Sequence, residues 1–186
     1  SGEQHRVNPT RPTNPALLRC AAVVACRNEA DLLNQHLPLW IAEGLEVVII
    51  DHSSNDATRA VAEARLGRGV LKVQSLEWLG QFSLEQQLVA KEAAIQGLDH
   101  DWVVHLDTDE WLHSPMEGET LQEALSRLAA AGANAVNFEE FVLLPLTRNQ
   151  PAEHYYFFEP NRQRLIRAWD RRCQFSNRGS GGHQLM

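Results

Sequence analysis

Residues 20–26 are an unbroken apolar run, Cys-Ala-Ala-Val-Val-Ala-Cys, and the segment 19–26 reads as a short strand buried on both faces. The run stops at Arg27, Asn28 and Glu29, after which apolar side chains recur at helical spacing as Leu33, Leu37, Trp40 and Ile41. Pro38 should bend that helix and Gly44 should end it. A second strand is expected over 46–50. It opens into the turn-forming cluster 51–56, then a helix over 58–66 that closes at Gly67, and a third strand over 70–76.

Ser83 and Gln86 have the spacing of a capping box at the head of a helix reaching Gly97, with Leu84, Leu88, Ile95 and Leu98 on one stripe. Lys91 falls on that same stripe. A fourth strand over 102–106 ends at Asp107-Thr-Asp-Glu110; a helix over 120–131 follows, with Thr120 and Glu123 as its capping box and Gly132 at its end. Residues 135–142 read as a fifth strand. Strands alternating with helices at these lengths predict an α/β fold with a mostly parallel sheet and right-handed crossovers. From about Pro145 the pattern changes to Pro, Asn, aromatic and Arg residues. Short strands are expected there over 155–158 and 164–169, in a small irregular C-terminal lobe (145–186) on the sheet edge. Residues 1–18, Pro-rich and without the apolar stretch of a secretory signal, are read as a flexible N-terminal segment, and 19–144 as the α/β domain.

The 186 residues, 44% hydrophobic and 22% charged, suit one soluble globular domain, and no apolar run approaches the roughly 20 residues of a membrane span. Three cysteines, Cys20, Cys26 and Cys173, have no metal-motif spacing and are expected as reduced thiols in a cytoplasmic protein. A net charge of −7 argues against a nucleic-acid partner. Against that acidic balance, six arginines (Arg162, Arg164, Arg167, Arg171, Arg172 and Arg178) face one acid, Asp170, in the last 25 residues, so this segment is suited to an anion.

Ligands of open α/β sheets bind beyond the carboxyl ends of the strands. Those ends here are acidic and polar: Arg27, Asn28 and Glu29 after the first strand, Asp51 after the second, and Asp107, Asp109 and Glu110 after the fourth. Two carboxylates at i and i+2, where a strand gives way to a loop, repel each other unless a cation sits between them, and their hard oxygens select Mn²⁺ or Mg²⁺. A lysine on the buried stripe of a helix, Lys91, costs desolvation unless it meets an anion such as a phosphate. Trp78 and Trp111 flank this rim in sequence and offer apolar faces to a sugar, although core packing is the ordinary role of tryptophan.

Together these residues resemble the GT-A glycosyltransferases of the family-2 type. Ala-Cys26-Arg-Asn28-Glu29 resembles the first-strand nucleotide-binding motif, Val-Val-Ile-Ile-Asp51-His-Ser-Ser-Asn-Asp56-Ala-Thr58 the second-strand motif, and Asp107-Thr-Asp109 the DXD motif, and the resemblance covers roughly residues 21–112. It implies a metal-dependent transfer of a sugar from a nucleotide-diphosphate sugar to a glycan, lipid-linked or small-molecule acceptor, with inversion. By the same resemblance, Arg27, Asn28, Glu29 and Asp51 would hold the base and ribose, and Lys91 would face the nucleotide. Asp107 would hold ribose and metal, Asp109 the metal, and His183, in Ser180-Gly-Gly-His183, a further metal position. An inverting transferase needs a carboxylate to deprotonate the acceptor, and Glu140, just before the loop that follows the fifth strand, is the candidate over Glu139 and Glu159. The sequence departs from the family pattern at Arg27, which stands where an aromatic is usual, and at His52 and Ser53, which replace Asp and Gly.

Two other readings bear on the same residues. A haloacid-dehalogenase-type phosphatase also uses Asp-X-Asp after a strand, but opens its domain with it, whereas here the motif follows the fourth strand. The other is a non-catalytic nucleotide-sugar or carbohydrate-binding module on the same fold, which the fold alone does not exclude; a module that binds only glycan would have no need of a diphosphate clamp.

Overall fold

The computed structural model describes residues 16–141, 143–145, 155–157, 161–173, 175–177 and 184–185. The elements run β1 (Cys20–Cys26), α1 (Ala30–Ala42), β2 (Leu45–Asp51), α2 (Thr58–Glu63), β3 (Val70–Ser75), α3 (Leu84–Gln96), β4 (Trp102–His105), α4 (Leu121–Ala130), β5 (Ala135–Glu140), β6 (Leu143–Pro145), β7 (Tyr155–Phe157), β8 (Asn161–Asp170), β9 (Phe175–Asn177) and β10 (Gln184–Leu185). Six strands form one sheet in the order β3-β2-β1-β4-β8-β5, and β6-β7 and β9-β10 are separate antiparallel pairs. This is the α/β class expected from the alternation, with a mostly parallel sheet flanked by helices.

The alternation along β1 shows how the sheet is sandwiched. Cys20, Ala22, Val24 and Cys26 face Leu33, Leu37 and Trp40 of α1 and Leu121 and Leu125 of α4. Val23 and Ala25 point the other way, toward Ala94 and Ile95 of α3. Every residue of β1 is buried, as an apolar run at the centre of a two-sided sheet must be. At the end of α1, Gly44 adopts φ +83°, the left-handed conformation that closes a helix and that glycine enters without strain.

The register differs from expectation on one side of the sheet. β1 through β4 are parallel neighbours, but β8 lies between β4 and β5 and is antiparallel to both. The stretch containing β8 was expected on the sheet edge, because the pattern there changes to Pro, Asn, aromatic and Arg residues. It is drawn inside by Ala168 and Trp169, which are fully buried on opposite faces of the sheet. β5 consequently runs in the same direction as β4, and its carboxyl end lies at the same end of the sheet.

Local differences have local causes. The helix expected over 58–66 stops at Glu63, and Leu66 bridges to Val70 in a tight turn with Gly67 at φ +69°. The Thr120/Glu123 capping box forms completely. The Ser83/Gln86 spacing gives only half a box: Ser83 Oγ accepts from Gln86 N, while the Gln86 amide reaches instead to the Glu77 carbonyl. Leu84, expected on the buried stripe, is 47% exposed, because α3 is buried through Leu88, Lys91, Ala94 and Ile95 one turn farther on.

Candidate functional site

At the carboxyl ends of β1 and β2 two loops are stitched together. Asn28 N donates to Ser54 Oγ, Asn55 N to Asn28 Oδ1, Glu29 N to Thr58 Oγ1 and Ala30 N to Asp56 Oδ2, at 2.9, 3.0, 2.8 and 3.2 Å in the order Asn55, Asn28, Glu29, Ala30. The first amides of α1 are therefore capped by the loop after β2, which explains why its own N-cap, Glu29, supplies no side-chain hydrogen bond. Asn28 takes φ +54°, a conformation asparagine tolerates better than most residues. Hydrogen bonding by Thr58 holds the Asp56 carboxyl below its ordinary range.

The residues expected on this part of the rim are not equally accessible. Asp51 is buried and turned into its own loop, with Ser54 N donating to Oδ1 and Arg59 Nη1 3.8 Å from Oδ2. The Arg27 guanidinium donates to the His52 and Ser53 carbonyls and lies over the Trp78 ring, 3.9 Å from its centroid. His52 is completely buried beneath them. Its Nε2 lies 3.1 Å from the Glu77 carbonyl and its Nδ1 3.3 Å from the Gln87 amide, partners that place the ring proton on Nε2. His52 thus makes a structural contact that the loop motif alone did not indicate. Trp78 belongs to the same assembly, edge-on to the His52 ring.

The second part of the rim is the loop after β4, which the strand end and three supports fix. Asp107 N donates to Glu110 Oε2 at 2.9 Å, Trp40 Nε1 donates to the Glu110 carbonyl at 2.9 Å, and His36 Nδ1 lies 2.6 Å from the Thr108 carbonyl. Held this way, the turn carries the Asp107 and Asp109 carboxylates at the surface, Asp107 being 52% exposed and Asp109 exposed with no hydrogen bond or ion pair among the described residues.

Lys91 reaches this turn from below. It is buried, and its ammonium meets three acceptors, His105 Nε2 at 3.3 Å, the Leu106 carbonyl at 3.2 Å and Asp107 Oδ1 at 3.2 Å. Burial pulls the Lys91 pKa below the ordinary lysine range, and Asp107 opposes that shift. Lys91 is therefore placed on the inward stripe, as its spacing predicts, and the anion it meets in the chain is Asp107.

Arg167, from β8, approaches the same turn from the other side. Its Nη2 donates to Glu110 Oε1, and its Nη1 lies 3.9 Å from Asp107 Oδ2. Burial raises the Glu110 carboxyl to about 7, with Arg167 opposing. Arg167 was legible only as one of six C-terminal arginines. Two of the others do different work: Arg172 pairs with Asp170, and Arg171 donates to the His100 carbonyl.

The carboxylate pair fits a hard divalent cation in its donor chemistry. Two protein carboxylates plus substrate phosphates are an ordinary ligand set for Mg²⁺. Among the described residues no three His, Cys, Asp or Glu side chains gather as a metal cage. The repulsion between acidic groups that argues for a cation is relieved in part by the chain itself, through Lys91 and Arg167. His183 lies outside the described residues. Glu140 is the last residue of β5, with its backbone opposite Asn161 at the sheet end that carries Asp107. Glu139 beside it is exposed, and Glu159 lies outside the described residues. Trp111 is 51% exposed next to the turn and tilts against His113, ring centroids 5.0 Å apart.

No protein-family model matches the chain, and no curated protein matches it. Among solved structures it is similar to S. aureus TarS in complex with UDP, at 17% identity and a TM-score of 0.45, over 64% of this chain and 34% of that one. It is similar to glucosyl-3-phosphoglycerate synthase of Mycobacterium tuberculosis with Mn²⁺, uridine diphosphate and glucosyl-3-phosphoglycerate, at 16% identity and a TM-score of 0.36, over 49% of this chain and 33% of that one. A third similarity is to 4-diphosphocytidyl-2C-methyl-D-erythritol synthase, at 15% identity and a TM-score of 0.43, over 83% of this chain and 76% of that one. The chain spans about a third of the length of the first two. No helix among the described residues is long and apolar enough to cross a membrane.

Proposed function

We propose that the chain is a metal-dependent glycosyltransferase that moves a sugar from a nucleotide-diphosphate sugar to an acceptor hydroxyl with inversion. The observation that carries this reading is the pair of surface carboxylates, Asp107 and Asp109, at the carboxyl end of β4, the first of them ion-paired with the buried Lys91 ammonium. A turn braced by Trp40, His36 and Glu110 keeps these carboxylates in place without substrate, which is the preorganisation that transition-state stabilisation requires.

In this reading Asp109 and Asp107 hold Mn²⁺ or Mg²⁺, which as a Lewis acid offsets the negative charge on the leaving diphosphate. Lys91 adds a positive charge under the same position. Arg27, stacked on Trp78, and the amide-rich loop at Asn28 and Glu29 border the base and ribose, while Asp51 acts from beneath by holding its loop. The acceptor oxygen attacks the anomeric carbon as the bond from that carbon to the diphosphate oxygen breaks. Glu140 takes the hydroxyl proton, and the nucleoside diphosphate leaves with the bonding electron pair. His183 is assigned to the metal on the resemblance alone.

One observation favours the rival reading, a sugar-nucleotide or carbohydrate-binding module without catalysis: Asp107 already faces two protein cations. Calorimetry with a panel of nucleoside diphosphates, with and without Mn²⁺, separates the two. Metal-dependent binding of one nucleotide, lost in Asp109→Asn, is the expected result, and release of that diphosphate from its sugar conjugate then distinguishes enzyme from module. No binding to any member of the panel would overturn the glycosyltransferase and the sugar-nucleotide module alike.

A further inference from the structure

Arg167 is 6% exposed, yet its Nη1 has no hydrogen-bond partner among the described residues. Nη1 lies 3.9 Å from Asp107 Oδ2, while Nη2 of the same guanidinium donates to Glu110. One planar fork thus addresses two carboxylates of one turn, and Lys91 holds the other oxygen of Asp107 at 3.2 Å. We infer that Arg167 is a positioning residue that sets the orientation of the Asp107 carboxylate, and through Glu110 the shape of the turn that presents Asp109.

This rests on the proposed function in treating the two carboxylates as the cation site. A buried ion pair is a poor device for stability alone, since apolar residues of the same volume usually serve as well or better. What an arginine adds is geometry: a rigid fork that a lysine, as a single flexible point charge, does not reproduce. Without Arg167, Glu110 loses its cation in a desolvated position. Its side chain is then no longer fixed from the β8 side, and its hydrogen bond from Asp107 N weakens. The loose Nη1 is also informative. Rotation of Asp107 about its side chain moves Oδ2 toward Nη1 or away from it, so the guanidinium limits how far the carboxylate turns from a bound cation.

The test compares wild type, Arg167→Met, Arg167→Lys, Glu110→Gln and the double variant Arg167→Met/Glu110→Gln. Mn²⁺ alone is titrated and followed by loss of the free-ion electron paramagnetic resonance signal, and near-ultraviolet circular dichroism and thermal midpoint report the fold. Expected is at least a tenfold weaker Mn²⁺ affinity in Arg167→Met, incomplete recovery in Arg167→Lys, and a double variant no weaker than the weaker single one, as for residues acting through one another. Folded Arg167→Met with the wild-type Mn²⁺ affinity would overturn the positioning role and leave the proposed function standing. Should Arg167→Met not fold, Arg167→Lys decides, a wild-type affinity in it again overturning the role. Absence of Mn²⁺ binding by the wild type overturns this inference, while the metal-dependent nucleotide binding of the proposed function decides the metal assignment separately.

Discussion

Lys91 Nζ and Asp107 Oδ1 are 3.2 Å apart, one from the buried face of α3 and the other from the surface turn after β4. All three ammonium donors are used, on His105, Leu106 and Asp107, so a cation that is costly to bury is fully satisfied at the floor of the rim.

Lys91→Met should lower both stability and affinity. The Asp107 carboxylate is half-exposed and water can rehydrate it, but His105 Nε2 and the Leu106 carbonyl are buried and lose their donor. The thermal midpoint is expected to fall. Nucleoside diphosphate affinity in calorimetry is expected to fall roughly tenfold or more, on the scale of about 1.5–3 kcal/mol for the charged hydrogen bond by which Lys91 holds Asp107. An unchanged affinity would remove Lys91 from the diphosphate site.

Gly44→Ala should be among the more damaging small substitutions. The residue sits at φ +83°, and an added Cβ would approach Gln122 Cβ to 2.6 Å and would also run into Gln122 Oε1. Gln122 is itself committed, donating to the Leu18 carbonyl. The strain of a left-handed alanine costs about 1 kcal/mol before the clash is counted, so urea unfolding should show a loss above that value.

Glu119 gives the chain an acid-side dependence. A two-point pairing with Arg127, followed by a hydrogen bond from Ser114, lowers its carboxyl to about 2. Because the folded value lies below the unfolded one near 4.5, its stabilisation is complete above the unfolded value and is lost as the pH falls through about 2. The stability difference between wild type and Glu119→Gln should be constant at neutral pH and shrink below about pH 4.5; a difference that does not change with pH would contradict the pairing. Its size should be modest, since the pair is near the surface and screened.

The thiols should react unequally. Burial pushes Cys20 and Cys26 to about 12, and both are buried between the helices and the sheet. Cys173 is also raised by burial, but it is partly exposed. A disulfide reagent at pH 8 is expected to modify Cys173 first and to reach the other two only on unfolding. Rapid loss of all three in the native protein would contradict this packing.

Much of the fold was legible because its signals are local. The apolar run of β1 admits one reading, and Leu33, Leu37 and Trp40 share a helix face by periodicity alone. Lys91 was legible for the same reason, as a polar residue on an apolar stripe. What the spacing did not reveal is which loop caps α1, since its orphan amides are met by Ser54, Asp56 and Thr58 from another segment, or that Asp51 and His52 turn inward.

The sequence by itself determined the order of the elements from β1 to β5, the buried faces of β1 and α1, and the acidic turn at Asp107 and Asp109, because these depend on residues within a few positions of one another. Only the tertiary structure decided that β8 enters the sheet antiparallel between β4 and β5, and that Arg167 meets Glu110 and Asp107. Strand partners and ion pairs between residues 57 or 60 positions apart are chosen by how apolar surfaces such as Ala168 and Trp169 find burial together, and no local pattern encodes that choice.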